Sequence, residues 1–154
     1  ATKLNKLIYY VDFLSYRDRE KSVTNDKYIH KDFGPVPDKI DDMIALLKEK
    51  GSLSVDLIEY KEGKYVKDYQ KMFQEKYKFI GHKDPNLSVF DKYELILLEK
   101  ICKEFELWST NKIVNQTHLE APWFYSKPFD VVDYNYSKSL EPFEDEPSLA
   151  GQQN

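Results

Sequence analysis

Apolar positions recur at helical spacing from the start of the chain. Leu4, Leu7, Ile8, Val11 and Leu14 share one face of a helix predicted from Thr2 to about Tyr16, with Thr2 as its cap. Tyr9, Asp12 and Tyr16 fall on or near the opposite face, three and four residues apart. A second helix is predicted over 38–50, where Ile40, Met43, Ile44 and Leu47 repeat the pattern. Pro37 suits its first position, and Asp38, Asp41 and Asp42 complement the dipole. Between the helices lie a charged connector (17–22), a turn at Thr24-Asn25-Asp26, and Gly34-Pro35-Val36-Pro37. Each proline fixes φ and keeps the residue before it out of the α region. The stretch 24–37 is therefore a stiff, extended elbow between two helices.

The period then changes. Leu53, Val55 and Leu57 alternate in a strand over 53–60, Lys61-Glu62-Gly63 turns the chain, and 64–67 returns as a second strand. A lone hairpin is marginal in water and leans on helices. Over 69–79, Tyr69, Met72, Phe73, Lys76 and Tyr77 favour a helix, and 81–86 is a loop around Pro85. The longest helix is predicted from Ser88 to Leu107, with Ser88 and Asp91 as a capping box. Val89, Tyr93, Ile96, Leu97, Ile101 and Phe105 line one side, and Leu95, Leu98 and Cys102 widen the stripe. A helix apolar nearly all round is central to its domain. Ser109 caps a shorter helix with Ile113 and Val114, which Pro122 ends, and Trp123-Phe124-Tyr125 packs the exit. The expected fold is mainly α: a compact helical domain with a small β-hairpin over residues 1–137. An acidic tail follows over 138–154, either solvated or docking Phe143 and Leu149 on a basic partner.

Composition narrows the class. The 154 residues, 41% of them hydrophobic, suit one core, and no apolar run reaches the roughly 18 residues of a membrane span. A single cysteine, Cys102, rules out an internal disulfide and fits a reducing cytoplasm; its helical setting reads as a buried structural thiol. The net charge is −4 and only Arg17 and Arg19 are arginines, which counts against sequence-specific nucleic-acid readout by this chain alone. Seven lysines against three acids over 61–83 read as a solvated face rather than a phosphate track. Twelve tyrosines suit an interface, although AT-rich codon usage explains part of that number.

The residues offer little for bond-making chemistry. His118 has no second ligand at metal spacing and no nucleophile beside it, so it reads as a hydrogen-bonded fixture closing the last helix. Asp12 has two readings: a surface partner of its helical neighbours, or a buried acceptor that pins the 24–28 turn to the first helix. No enzyme template finds its second residue, and no metal or cofactor is expected.

Several blocks carry a resemblance. Lys6-Leu7-Ile8-Tyr9-Tyr10-Val11-Asp12-Phe13, Thr24-Asn25-Asp26-Lys27-Tyr28, Gly34-Pro35-Val36-Pro37, Leu87-Ser88 and Thr117-His118-Leu119-Glu120-Ala121-Pro122-Trp123 resemble the Panacea domain of SocA-like and phage-associated antitoxins. The likeness spans about residues 4 to 125. It departs at Asn25, where relatives often carry glycine, and ceases beyond Ser137. The resemblance implies a cytoplasmic, non-enzymatic module that binds and neutralises a cognate toxin, many such toxins blocking translation. It leaves two alternatives: an adaptor that delivers the toxin to a protease, and a regulator that binds its own operator. Relatives often place a helix-turn-helix ahead of this domain, for which no room is expected here. The motif residues Tyr9, Tyr10, Asp12, Asp26, Tyr28, Gly34, Pro35, Pro37, His118 and Trp123 are expected to form the framework, with partner contact largely indirect.

Overall fold

The computed structural model describes residues 1–60 and 75–141. The order is α1 (Thr2–Arg19), β1 (Tyr28–Lys31), β2 (Gly34–Pro37), α2 (Ile40–Glu49), β3 (Leu53–Tyr60), β4 (Glu75–Gly81), α3 (Lys92–Phe105), α4 (Thr110–Leu119) and α5 (Ala121–Phe124). Short 3₁₀ helices occur at Leu87–Val89 and Tyr134–Ser139. The fold is mainly α with two antiparallel strand pairs, β1–β2 and β3–β4. Two compact units form, one from Lys39–Asn86 and the other from Thr2–Asp38 with the chain from Leu87 onward. No helix among the described residues is long and apolar enough to cross a membrane.

In the larger unit the central helix is α1, not the longer-patterned α3. Residues 9–15 of α1 are all buried, and so is Lys6. α1 is flanked by β2, α3, α4 and the second 3₁₀ helix, so it has no solvent face there. Of the expected stripe, Val11 and Leu14 are buried, while Leu4, Leu7 and Ile8 are only partly so. The core is aromatic: Phe13 packs on Tyr9 at 4.6 Å, on Tyr134 at 4.5 Å and edge-on to Tyr28 at 5.2 Å. Tyr10 stacks on Phe105 at 4.7 Å. Such pairs add about 1 kcal/mol each beyond the area they bury.

α3 buries one stripe, Tyr93, Leu97, Ile101 and Phe105, and leaves Cys102 exposed, contrary to the buried thiol expected. Its capping box is also three residues later than expected. Asp91 is the cap: it accepts from Glu94 N, and Asp91 N donates to the Glu94 carboxylate, both at 2.9 Å. Ser88 lies in the preceding 3₁₀ turn, which leaves Val89 in solvent. Asp91 also accepts both terminal nitrogens of Arg19, at 3.1 and 2.8 Å. Those bonds, with the Glu94 amide, hold its carboxyl down at about 2. Ser109 caps α4 through Lys112 N, as its position predicts. Pro122 opens α5 rather than closing α4; in a first turn its missing donor is harmless.

The elbow is a β-hairpin. β2 pairs with β1 in the register Tyr28 with Pro37 and His30 with Pro35. Pro37 therefore ends a strand and does not start α2, which begins at Ile40. The ladder continues one step through Asp38 N to Lys27 O at 2.9 Å. On its other edge β1 receives residues 129–132: Phe129 N donates to His30 O, His30 N to Asp130 O, and Val132 N to Tyr28 O. Asn25 takes φ +57°, the left-handed backbone its side chain tolerates.

In the smaller unit α2 ends in a Schellman motif: Ser52 N reaches Leu47 O, Gly51 N reaches Lys48 O, and Gly51 sits at φ +65°. β3 pairs with β4, so Glu75–Phe79 is strand where helix was expected. Leu53, Val55 and Leu57 face Gly81, Phe79 and Tyr77 on one side of this ribbon, while Asp56 faces Lys78 on the other. Alternation outweighs the competing helical spacing once β3 offers a partner. The expected turn at 61–63, the return strand at 64–67, the start of the 69–79 helix and the end of the acidic tail lie outside the described residues.

Candidate functional site

The motif residues gather on α1, at three buried polar nodes. The first is Asp12. Its carboxylate is fully buried and accepts from Val23 N and Thr24 N, both at 2.8 Å. It also accepts from Thr24 Oγ1 at 2.5 Å and Tyr28 Oη at 2.6 Å. Of its two sequence readings the buried one holds: Asp12 pins the turn to α1. Tyr28 is kept a phenol, its pKa raised by burial and by the Asp12 charge. Asp26 supports the same turn from outside, accepting from Lys27 N at 2.9 Å, while its carbonyl takes the Tyr134 hydroxyl at 2.6 Å.

The second node is Glu120, between α4 and α5. It accepts from Tyr9 Oη at 2.9 Å, Tyr10 Oη at 2.8 Å and Gln116 Nε2 at 3.3 Å. Burial raises its pKa against the pull of those three donors. Tyr9 and Tyr10 are pushed up by burial first and the Glu120 charge second. This node ties residues about 110 positions apart, which no local pattern reveals.

The third node holds the hairpin. Lys6 is fully buried and its Nζ donates to Pro35 O at 2.7 Å. Burial alone lowers its pKa, to about 7. Gly34 sits directly against it at φ +101°; a Cβ there would lie 2.6 Å from Thr117 Oγ1 and 2.7 Å from Lys6 Cε. Trp123 Nε1 donates to Lys31 O at 2.9 Å, and the nearby Asp32 backbone favours a proton on the His118 ring. Trp123 stacks on His118 at 4.0 Å and on His30 at 4.6 Å. Pro35 and Pro37 are buried in β2. His118 differs from the satisfied fixture expected, because its Nε2 is buried with no partner among the described residues. Burial first, then Lys6, depresses its pKa.

Lys6, Thr117 and Glu120 were not among the expected framework residues, although all three stand inside the quoted blocks. A lysine three and four residues before two buried tyrosines was the available signal. Substituting Gln for Glu120 is expected to keep the fold and lower stability by about 1–2 kcal/mol, since one carboxylate oxygen becomes a donor facing a phenol. Urea titration reads this directly, and a loss beyond that of removing both tyrosine hydroxyls would contradict it.

Beside this frame the surface is apolar. Leu119 is 80% exposed and Phe129 71% exposed, and Phe124, Tyr125 and Val131 are exposed too. Phe124, Tyr125 and Tyr136 form a run of touching rings, at 5.2 and 5.6 Å. Phe129 has φ +68°, an uncommon backbone for a bulky residue, with Lys31 Nζ 5.2 Å from its ring centre. Among the described residues no group of three or more His, Cys, Asp and Glu is placed to hold a metal.

Comparison with known proteins gives one family. The model described as "Antitoxin SocA-like, Panacea domain" matches residues 4–124. No curated protein and no solved structure matches the chain.

Proposed function

Because the chain belongs to the SocA-like Panacea antitoxin family, we propose that it is an antitoxin that neutralises a cognate toxin by direct protein–protein binding. The observation that carries this reading is the family match across residues 4–124. The geometry supports it: most of the motif residues are engaged in the bonds and packing of the frame, which fits a scaffold that presents a surface. The exposed run of Phe124, Tyr125 and Tyr136 has the composition of a partner-facing patch. The toxin is one that acts on translation, the complex forms in the cytoplasm, and neutralisation needs occlusion rather than catalysis. The net charge of −4 complements a toxin whose active site binds nucleotides or RNA.

Co-expression with the adjacent gene tests this. The neighbour alone is expected to arrest growth and protein synthesis; together the two proteins are expected to restore both and to co-purify. Growth arrest that persists in the presence of this chain overturns the reading. Following the toxin's abundance in the same cells separates occlusion, in which it stays constant, from delivery to a protease.

A further inference from the structure

Two carbonyls of the β1–β2 hairpin are each held by a donor from outside it, and the His118 ring is stacked on one of those donors. Lys31 O takes Trp123 Nε1, on which His118 stacks at 4.0 Å, and Pro35 O takes Lys6 Nζ. Lys6 and His118 can each gain a proton, and burial favours the neutral form of both. Lys6 is fully enclosed, with a carbonyl and no carboxylate as the partner of its amine among the described residues. The Nε2 of His118 is buried with no partner among the described residues.

We propose that the β1–β2 hairpin is an acid-released latch: protonation of Lys6 and His118 places two unbalanced cations beneath it and frees it from α1 and α4.

The surrounding charges do not rescue these cations. On α1, Tyr9 and Tyr10 are both held as phenols, and Lys3, a further cation, donates to Glu106 O and Trp108 O. Glu120, following α4, is already bonded to those phenols and to Gln116. From β1 comes His30, whose Nδ1 meets Ser126 Oγ at 2.8 Å. The Ser126 hydroxyl donates onward to Trp123 O, so the imidazole is the donor in the His30 bond. Asp32 and Asp130 favour a charge on His30, but burial outweighs them. Lys6 itself opposes a charge on His118.

The sign follows from linkage. Lys6 releases its proton at about 7 when latched and near 10.4 when free, so the open form binds more protons between those values. Latching therefore weakens as pH falls through that window and loses nothing more from Lys6 below it. His118 and His30, both depressed, extend the weakening below about 6.5. Residues 129–132 ride on β1, so release also displaces exposed Phe129 and Val131. Any effect on toxin binding rests on the antitoxin reading; the latch does not.

Amide hydrogen exchange on the whole chain, corrected for intrinsic rates, tests the latch without a partner. Between pH 8.5 and 6.5 protection of the His30, Phe129 and Val132 amides is expected to fall by at least about tenfold, while Leu97 and Ile101 in α3 hold theirs. Lys6→Met is expected to flatten most of that change. In the unmodified chain, NMR titration of the Lys6 side chain is expected to show a midpoint near neutrality, so the proposal stays testable if the variant fails to fold. Protection independent of pH, a fall shared equally by α3, or a Lys6 amine charged up to pH 9 overturns it. A working latch in a chain that leaves its neighbour's toxicity intact would sink the antitoxin reading alone.

Discussion

Gly34→Ala is expected to destabilise the larger unit by about 2–5 kcal/mol, enough to unfold much of the population at physiological temperature. Two separate effects add at this one position. The backbone at φ +101° is one an L-residue adopts only under strain. The new methyl would also meet Thr117 Oγ1 at 2.6 Å and Lys6 Cε at 2.7 Å, and neither can retreat. Lys6 is held by Pro35 O, and the Thr117 hydroxyl donates to Val114 O at 2.8 Å. Two other glycines separate the effects. Gly51 has positive φ and open space, so Gly51→Ala is expected to lose about 1 kcal/mol from strain alone. Gly81 has open space and no positive φ, and Gly81→Ala is expected to be nearly silent. Urea unfolding of the three variants would show this order; equal losses would mean that the contact between Gly34 and Lys6 does not matter.

Asp12→Ala is expected to lose about 3–5 kcal/mol, because four donors in the core and the turn are left without an acceptor. The amides of Val23 and Thr24 have no other partner described, and the Tyr28 hydroxyl is sealed in the core. Asp12→Asn keeps one oxygen for the two amides but turns an NH₂ toward hydroxyls that can rotate to accept it, so its loss should be smaller. Tyr28→Phe removes a single bond and is expected to lose about 1–2 kcal/mol. Exchange at Val23 and Thr24 should rise in the aspartate variants and stay close to wild type in Tyr28→Phe. If all three variants matched, Asp12 would be acting through its volume and not as an acceptor.

Local pattern made much of this legible. The α2 periodicity, the Ser109 cap, the alternation of β3 and the left-handed turn at Asn25 depend on neighbours a few residues away. What the pattern missed depends on distant ones. Gly34-Pro35-Val36-Pro37 reads as extended from its prolines, but its role as a strand needs Tyr28–Lys31 alongside. Over 75–79 the helical and alternating patterns coexist, and β3 selects between them. Lys6 is the sharpest case. Lysine is ordinarily a surface residue, and here the bared carbonyl of Pro35, 29 positions along, gives its amine somewhere to go. The candidate site was legible as a set of motif letters; its wiring through Glu120 was not.

The fastening of β1 by residues 129–132, and of Tyr9 and Tyr10 by Glu120, has a bearing on biogenesis. Helix α1 is made well before the acceptor of its two tyrosine hydroxyls, about 110 positions along. At about 5–20 residues per second, roughly 6 to 25 seconds separate its synthesis from that of the acceptors and strap that complete it. Throughout that interval the nascent chain carries an aromatic helix with no finished core to enter. Early chaperone capture, or slow post-translational maturation, is the expected fate of a polypeptide wired in this way.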